Sequence, residues 1–267
     1  MAGFMRAEAF KRFGSAVPPD LELVNFSRVR SADSGHVTGA AVTANWGATP
    51  AQGDLLLAIA CHRSAESAIP AIDGSNWSRR IDRFVGLDNT NDRRAMIIWA
   101  KIAGASEAQY VTVNWASSVG TRLVLQQFHA DKPYGFAGLG NRSANSATGS
   151  TGNTAQTMAG TTPPLVVPDG PDVYTGFSDK QSILRISVMT ARAGATGPNG
   201  PAFANVGNLV EFTSAGTFQN ALAVGFGAVH TELFGAKLND TLTWNSDVLQ
   251  PCAAHLVFGG VTSFNPL

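Results

Sequence analysis

Charge is scarce in this chain. Asp, Glu, Lys and Arg make up 14% of its 267 residues, against roughly 25% in an ordinary soluble domain. Nineteen basic side chains balance nineteen acidic ones, so no net field steers the protein toward nucleic acid or an anionic bilayer, and no nucleic-acid partner is expected. Long apolar runs are missing too. The longest, Leu55 to Cys61, is far too short to span a membrane, and Met1 to Gly14 carries Arg6, Lys11 and Arg12 without the apolar stretch of an export signal. Neither membrane insertion nor cleavage of a signal peptide is expected. Only two cysteines, Cys61 and Cys252, are present. They cannot build a disulfide framework, so stability must come from the core, and two buried thiols are expected, a single bridge being the alternative.

Helical periodicity is absent over any twelve residues after Ala16, which argues against βαβ units and nucleotide-binding sheets. The chain also lacks a G-x-S-x-G elbow, a phosphate-binding loop ending in Gly-Lys-Ser/Thr, a G-x-G-x-x-G turn and an H-E-x-x-H pair. His36, His62, His129, His230 and His255 are scattered, none with a ligand at short spacing. No metal site, cofactor or catalytic residue is expected.

What remains is strand and turn chemistry. Leu55–Cys61 and Ala95–Ile102 are continuous apolar runs of the kind that is buried on both faces of a sheet. In QYVTVNW, Val111, Val113 and Trp115 alternate with Tyr110, Thr112 and Asn114, the period of a half-buried strand. Gly, Asn, Asp and Ser at 74–77, 86–94 and 103–109 supply the turns. The expected fold is all-β: a jelly-roll-like β-sandwich of two similar halves with about twelve strands and a short N-terminal segment. Residues 1–37 form that segment, with Phe4, Phe10 and Phe13 at helical spacing as an anchor ended by Pro18 and Pro19. The first half covers 38–134, a Gly/Ser/Thr-rich connector 135–162, and the second half 163–267.

Two halves are expected because composition recurs. With Trp115 laid on Trp244, Val113 falls on Leu242 and Thr112 on Thr241; AMIIWAKI at Ala95 resembles ALAVGFGA at Ala221, and GDLLLAIA at Gly53 resembles GPDVYTGF at Gly170. The last strands, aligned on Phe128 and Phe258, slip by one residue.

For ligands, aromatic rings offered from loops can stack on sugar C–H groups while amides bond the hydroxyls. Trp46 in ANWG, Trp77 in DGSNW, and Tyr134 and Phe136 in KPYGF fit that description as glycan-binding candidates, while tryptophans placed like Trp46 and Trp77 are more often core anchors at strand ends. Asp88, Thr90 and Asp92 imitate the start of a calcium loop, but Arg93 and Trp99 stand where Gly and Glu are required. Asp73, Asp82, Asp88, Asp92 and Glu107 offer carboxylates for glycoside hydrolysis, with no pair singled out.

GDLLLAIACHR, then a segment ending in GSNWS, then KIAGASEAQYVTVNW and LVLQQFHADKPYG, resembles a β-sandwich module of bacteriophages and phage-like particles, found in tail-fibre, head-spike and capsid-decoration proteins. The resemblance covers about Gly53 to Gly135. It implies a non-enzymatic structural protein of a virion or phage-like particle, assembled in the bacterial cytoplasm. As a homo-oligomer bound to capsid, portal or tail proteins, such a protein would use repeated weak contacts for avidity toward a host-surface glycan. A free carbohydrate-binding module and a β-sandwich hydrolase are the alternative expectations.

Overall fold

A computed structural model describes residues 24–64, 69–85, 93–131, 141–146, 156–161, 181–193, 201–203, 207–212, 220–231, 239–244 and 248–260. Among them there is no helix. The strands of the N-terminal part are β1 (Phe26–Asp33), β2 (Val37–Asn45), β3 (Leu55–Ser64), β4 (Ala71–Ile72), β5 (Ser78–Val85), β6 (Arg93–Ile102) and β7 (Tyr110–Ala130). Those of the C-terminal part are β8 (Asn141–Ser146), β9 (Gln156–Thr161), β10 (Gln181–Ala193), β11 (Pro201–Phe203), β12 (Gly207–Phe212), β13 (Asn220–Thr231), β14 (Asn239–Trp244) and β15 (Val248–Gly260). All pairings described are antiparallel.

The first sheet runs β1-β7-β3-β6-β5, with β2 and β4 also on β7. β7 is 21 residues long and explains the curl. Its C-terminal part pairs with β3 along Gly120–Phe128 and with β1 along Val124–Ala130, while β2 pairs with Tyr110–Asn114 and again with Val119–Thr121, and β4 with Val113 and Asn114. The polar ASSVG stretch between Trp115 and Thr121 is therefore a bend within a strand. At Gly120 a Cβ would come within 3.2 Å of the His36 ring, so the glycine lets that ring lie close against the strand. Opposite the bend, the register with β2 shifts between Gly39 and Ala41, where residues 115–118 of β7 face Ala40 alone, an irregularity of the kind that sharpens local bending.

The curl gives this sheet an inner face. Leu56, Ala58 and Ala60 of β3, Ile97 and Trp99 of β6 and Leu123 and Leu125 of β7 pack beneath Val42, Ala44, Trp46, Val111, Val113 and Trp115. The other face carries Leu55, Leu57, Ile59, Met96, Ile98, Val124 and Phe128, in one cluster with Leu184, Ile186, Val188, Leu222, Val224, Leu256 and Phe258 of the second sheet. β3 is buried on both faces, which is why its sequence is continuously apolar. Each such side chain contributes about 1.5–3 kcal/mol. Phe128 and Phe226 meet edge to face across the cluster, centroids 5.3 Å apart. Arg28 lies over Phe226 at 4.9 Å, and burial pushes its guanidinium below the ordinary value. Cys61 and Cys252 are buried free thiols.

The second sheet runs β12-β13-β10-β15-β8, beside a small sheet β11-β14-β9. Its pairings retrace the first: β10 sits between β13 and β15 as β3 sits between β6 and β7. Leu55 faces Ile102 and Phe128, and Leu184 faces Ala228 and Phe258. Ala71–Asn114 and Ile72–Val113 correspond to Ala202–Thr243 and Phe203–Leu242. Trp115 and Trp244 stand as far apart as Leu55 and Leu184 (244 − 115 = 184 − 55 = 129). The matches of Ala95 with Ala221 and of Phe128 with Phe258 follow the same pairings. The partner expected for Gly53 does not: β10, not GPDVYTGF at 170–177, takes the place of β3, and 170–177 lies outside the described residues.

Strands also lie in the two segments outside the expected halves. β1 lies inside the expected N-terminal segment but belongs to the sheet through β7. The expected connector contains β8 and β9, paired to β15 and β14.

Candidate functional site

The loops 45–54, 73–77 and 103–109 gather at one end of the curled sheet. Trp46 N–H donates to the Gln109 carbonyl at 2.7 Å, Gly53 N–H to Ala103 at 2.9 Å, and Asp73 N–H to Thr112 at 2.9 Å. Polar side chains ring the open end of the inner core here. On one side, Lys101 Nζ meets Glu107 Oε2 at 2.5 Å and stands 4.7 Å from the centroid of the Trp77 ring. Gly104 N–H fixes the other Glu107 oxygen at 2.8 Å. On the other side, Arg30 reaches the Trp46 and Ala48 carbonyls at 3.3 and 2.9 Å.

Between them, Asp54 lies at the start of β3 and is 2% exposed. Its carboxylate accepts from Gln127 Nε2 and from His129 Nδ1 at 2.7 Å. An acceptor-only carboxylate makes Nδ1 the donor, so in the neutral ring Nε2 carries the lone pair. That ring is 54% exposed. The result is a histidine oriented from behind by a buried carboxylate, with its basic nitrogen toward solvent.

The glycan candidates separate at this end. Trp46 continues the period-2 alternation of Val42 and Ala44 and is only 4% exposed, so it fills the inner core rather than offering a ring. Trp77 is half-buried against the same core, with Lys101 over one face. Tyr110, read as the wet side of its strand, is 59% exposed. Tyr134 and Phe136, like Phe4, Phe10 and Phe13, fall outside the described residues, as do Asp88, Thr90 and Asp92. Asp73 is engaged by Asn114 Nδ2 at 2.8 Å, and Glu107 by Lys101.

Gly74 has φ +94°, and a Cβ there would lie 3.5 Å from Trp77 Nε1. Gly74→Ala is expected to destabilise by about 1–2 kcal/mol through backbone strain, measured by urea unfolding; an unchanged midpoint would show that the 73–77 turn is not fixed as described.

A second polar cluster lies inside the C-terminal part. Arg185, Ser187 and His255 are all buried. Ser187 Oγ meets His255 Nδ1 at 2.8 Å, and Arg185 Nε–H donates to His255 Nε2 at 3.5 Å. With Nε2 accepting, Nδ1 holds the proton and donates to the serine. His255 in this state cannot take the Ser187 proton, so the contact is not a nucleophile–base pair. Among the described residues no group of three or more His, Cys, Asp and Glu is arranged to hold a metal ion.

Neither cluster was visible in sequence, because Asp54 and His129 are 75 residues apart and Ser187 and His255 68 apart; strand register alone unites them. Comparison with protein-family models, curated proteins and solved structures yields no match.

Proposed function

We propose that this chain is a structural component of a phage-like particle, a spike, fibre or decoration protein. In this reading it is a jelly-roll-like β-sandwich of two duplicated halves and assembles as a homo-oligomer with capsid, portal or tail proteins. It meets host-surface polysaccharide through the outer side of the curled sheet. The observation that carries the reading is that this outer side has almost no charge. Val37–Asn45 and Tyr110–Thr121 contain no Asp, Glu, Lys or Arg, and Thr38, Ala40, Ala41, Thr43, Asn45, Tyr110, Ala116, Ser117 and Ser118 are exposed along them. Thr43 and Thr112 hydroxyls bond across the strands at 2.8 Å.

A rigid sheet bearing hydroxyls, an amide and a phenol suits uncharged partners, either identical copies or a neutral glycan, since no ion must be desolvated on contact. Weak contacts of this kind gain strength when many copies are displayed together. The pairing order common to both sheets and the core drawn from both support a rigid scaffold built by duplication. The experiment is mass spectrometry of density-purified particles from the source organism. Peptides of this chain in fixed proportion to a major capsid protein are expected; their absence from particles, with the protein found free, contradicts the proposal and favours a free carbohydrate-binding module.

A further inference from the structure

We infer that Ser27, His129 and Asp54 form an acyl-ester hydrolysis centre on the edge of the curled sheet. Ser27 lies in β1, His129 in β7 and Asp54 immediately before β3, three neighbouring strands in the order β1, β7, β3. Ser27 is the direct pairing partner of His129, and Asp54 holds His129 Nδ1 at 2.7 Å. Opposed residues of an antiparallel pair keep their Cβ atoms about 4.5–5.5 Å apart on one face. With Nδ1 engaged by Asp54, Nε2 is the ring nitrogen left for Ser27, an exposed residue directly opposite on β1. Hydroxyl and ring are not hydrogen-bonded at rest, and such contacts commonly tighten only when substrate is seated.

The fold does not demand this arrangement. Ile183 and Gly259 face each other in the second sheet, one step beyond Leu184 and Phe258. They are the counterparts of Asp54 and His129, one step beyond Leu55 and Phe128. The sequence places an isoleucine and a glycine there, so the strand pairing itself does not call for a carboxylate and an imidazole.

The roles follow from the geometry. Ser27 Oγ attacks the ester carbonyl carbon while His129 Nε2 takes its proton. The carbonyl–oxygen bond to the alcohol then breaks, and that alcohol leaves with the proton from His129. Water attacks the resulting Ser27 acyl ester, His129 again accepting and returning the proton, and a carboxylic acid departs with Ser27 restored. Asp54 keeps the imidazole in the required tautomer and stabilises its charged form. Asn25, two residues before Ser27, is pinned by Asp131, its Nδ2 donating to Oδ2 at 2.7 Å; a carboxamide has a second N–H, available to a developing oxyanion. Because Ser27 and His129 are exposed, the site suits an acyl group projecting from a large molecule, an O-acylated polysaccharide.

The test treats the full-length protein with a fluorophosphonate probe, maps the modified peptide, and measures p-nitrophenyl acetate hydrolysis in parallel. Labelling of Ser27 is expected, abolished in Ser27→Ala and lowered about 100-fold in His129→Gln, the usual loss with a general base. Both variants alter exposed side chains, and their folding is verified by circular dichroism. Equal labelling and hydrolysis in wild type and Ser27→Ala would overturn the inference. It stands or falls separately from the particle reading, which the particle proteomics decides.

Discussion

Phe128→Ala is expected to cost about 3–5 kcal/mol, the range for removing a fully buried phenylalanine, and Phe258→Ala to cost a similar amount. Both rings are 0% exposed, occupy corresponding places opposite Leu55 and Leu184, and belong to one cluster drawn from both sheets. Because that cluster is shared, each substitution should move a single cooperative transition, seen alike by intrinsic fluorescence and circular dichroism. Two separated transitions, with Phe258→Ala shifting only one, would mean that the halves carry independent cores.

The second large effect concerns the polar cluster of the C-terminal part. By strand pairing, Arg185, Ser187 and His255 occupy the places of Leu56, Ala58 and Leu125, which the first half buries as apolar contacts. His255→Leu alone should destabilise by about 3–5 kcal/mol, because it strips partners from a buried guanidinium and hydroxyl. The triple variant Arg185→Leu, Ser187→Ala, His255→Leu copies the first half and should recover that loss or exceed wild type by about 1–4 kcal/mol. Denaturant titrations of the two variants decide it. A triple variant less stable than His255→Leu would show that the two inner faces are not packed alike.

The reason these relations were only partly legible lies in the residues themselves. Period-2 alternation placed Val111, Val113 and Trp115 inward correctly, and the unbroken run at Leu55–Cys61 marked a strand covered on both sides. The same period, carried through Val42, Ala44 and Trp46, separates the two roles open to Trp46 and puts it in the core as a strand-end anchor. The copy of β3 was missed because LLLAIACHRS is apolar on both faces, whereas QSILRISVMT places Arg185 and Ser187 on one. Two strands with the same neighbours thus look unrelated by composition.

The candidate site was hidden for a different reason. Asp54, His129 and Ser27 carry no local motif, since a row across a sheet draws one residue from each strand and leaves no spacing to read. Only the register, fixed by Leu55 against Phe128 and by Ser27 against His129, brings them together.

The most direct test of a core shared between the two sheets is a double-mutant cycle on Phe128 and Phe226, one from each sheet, with rings 5.3 Å apart. Unfolding free energies of Phe128→Leu, Phe226→Leu and the double variant should reveal a favourable coupling of about 0.5–1.5 kcal/mol, the value of an edge-to-face aromatic pair. Additivity within about 0.3–0.5 kcal/mol, as for residues that do not touch, would contradict the shared core.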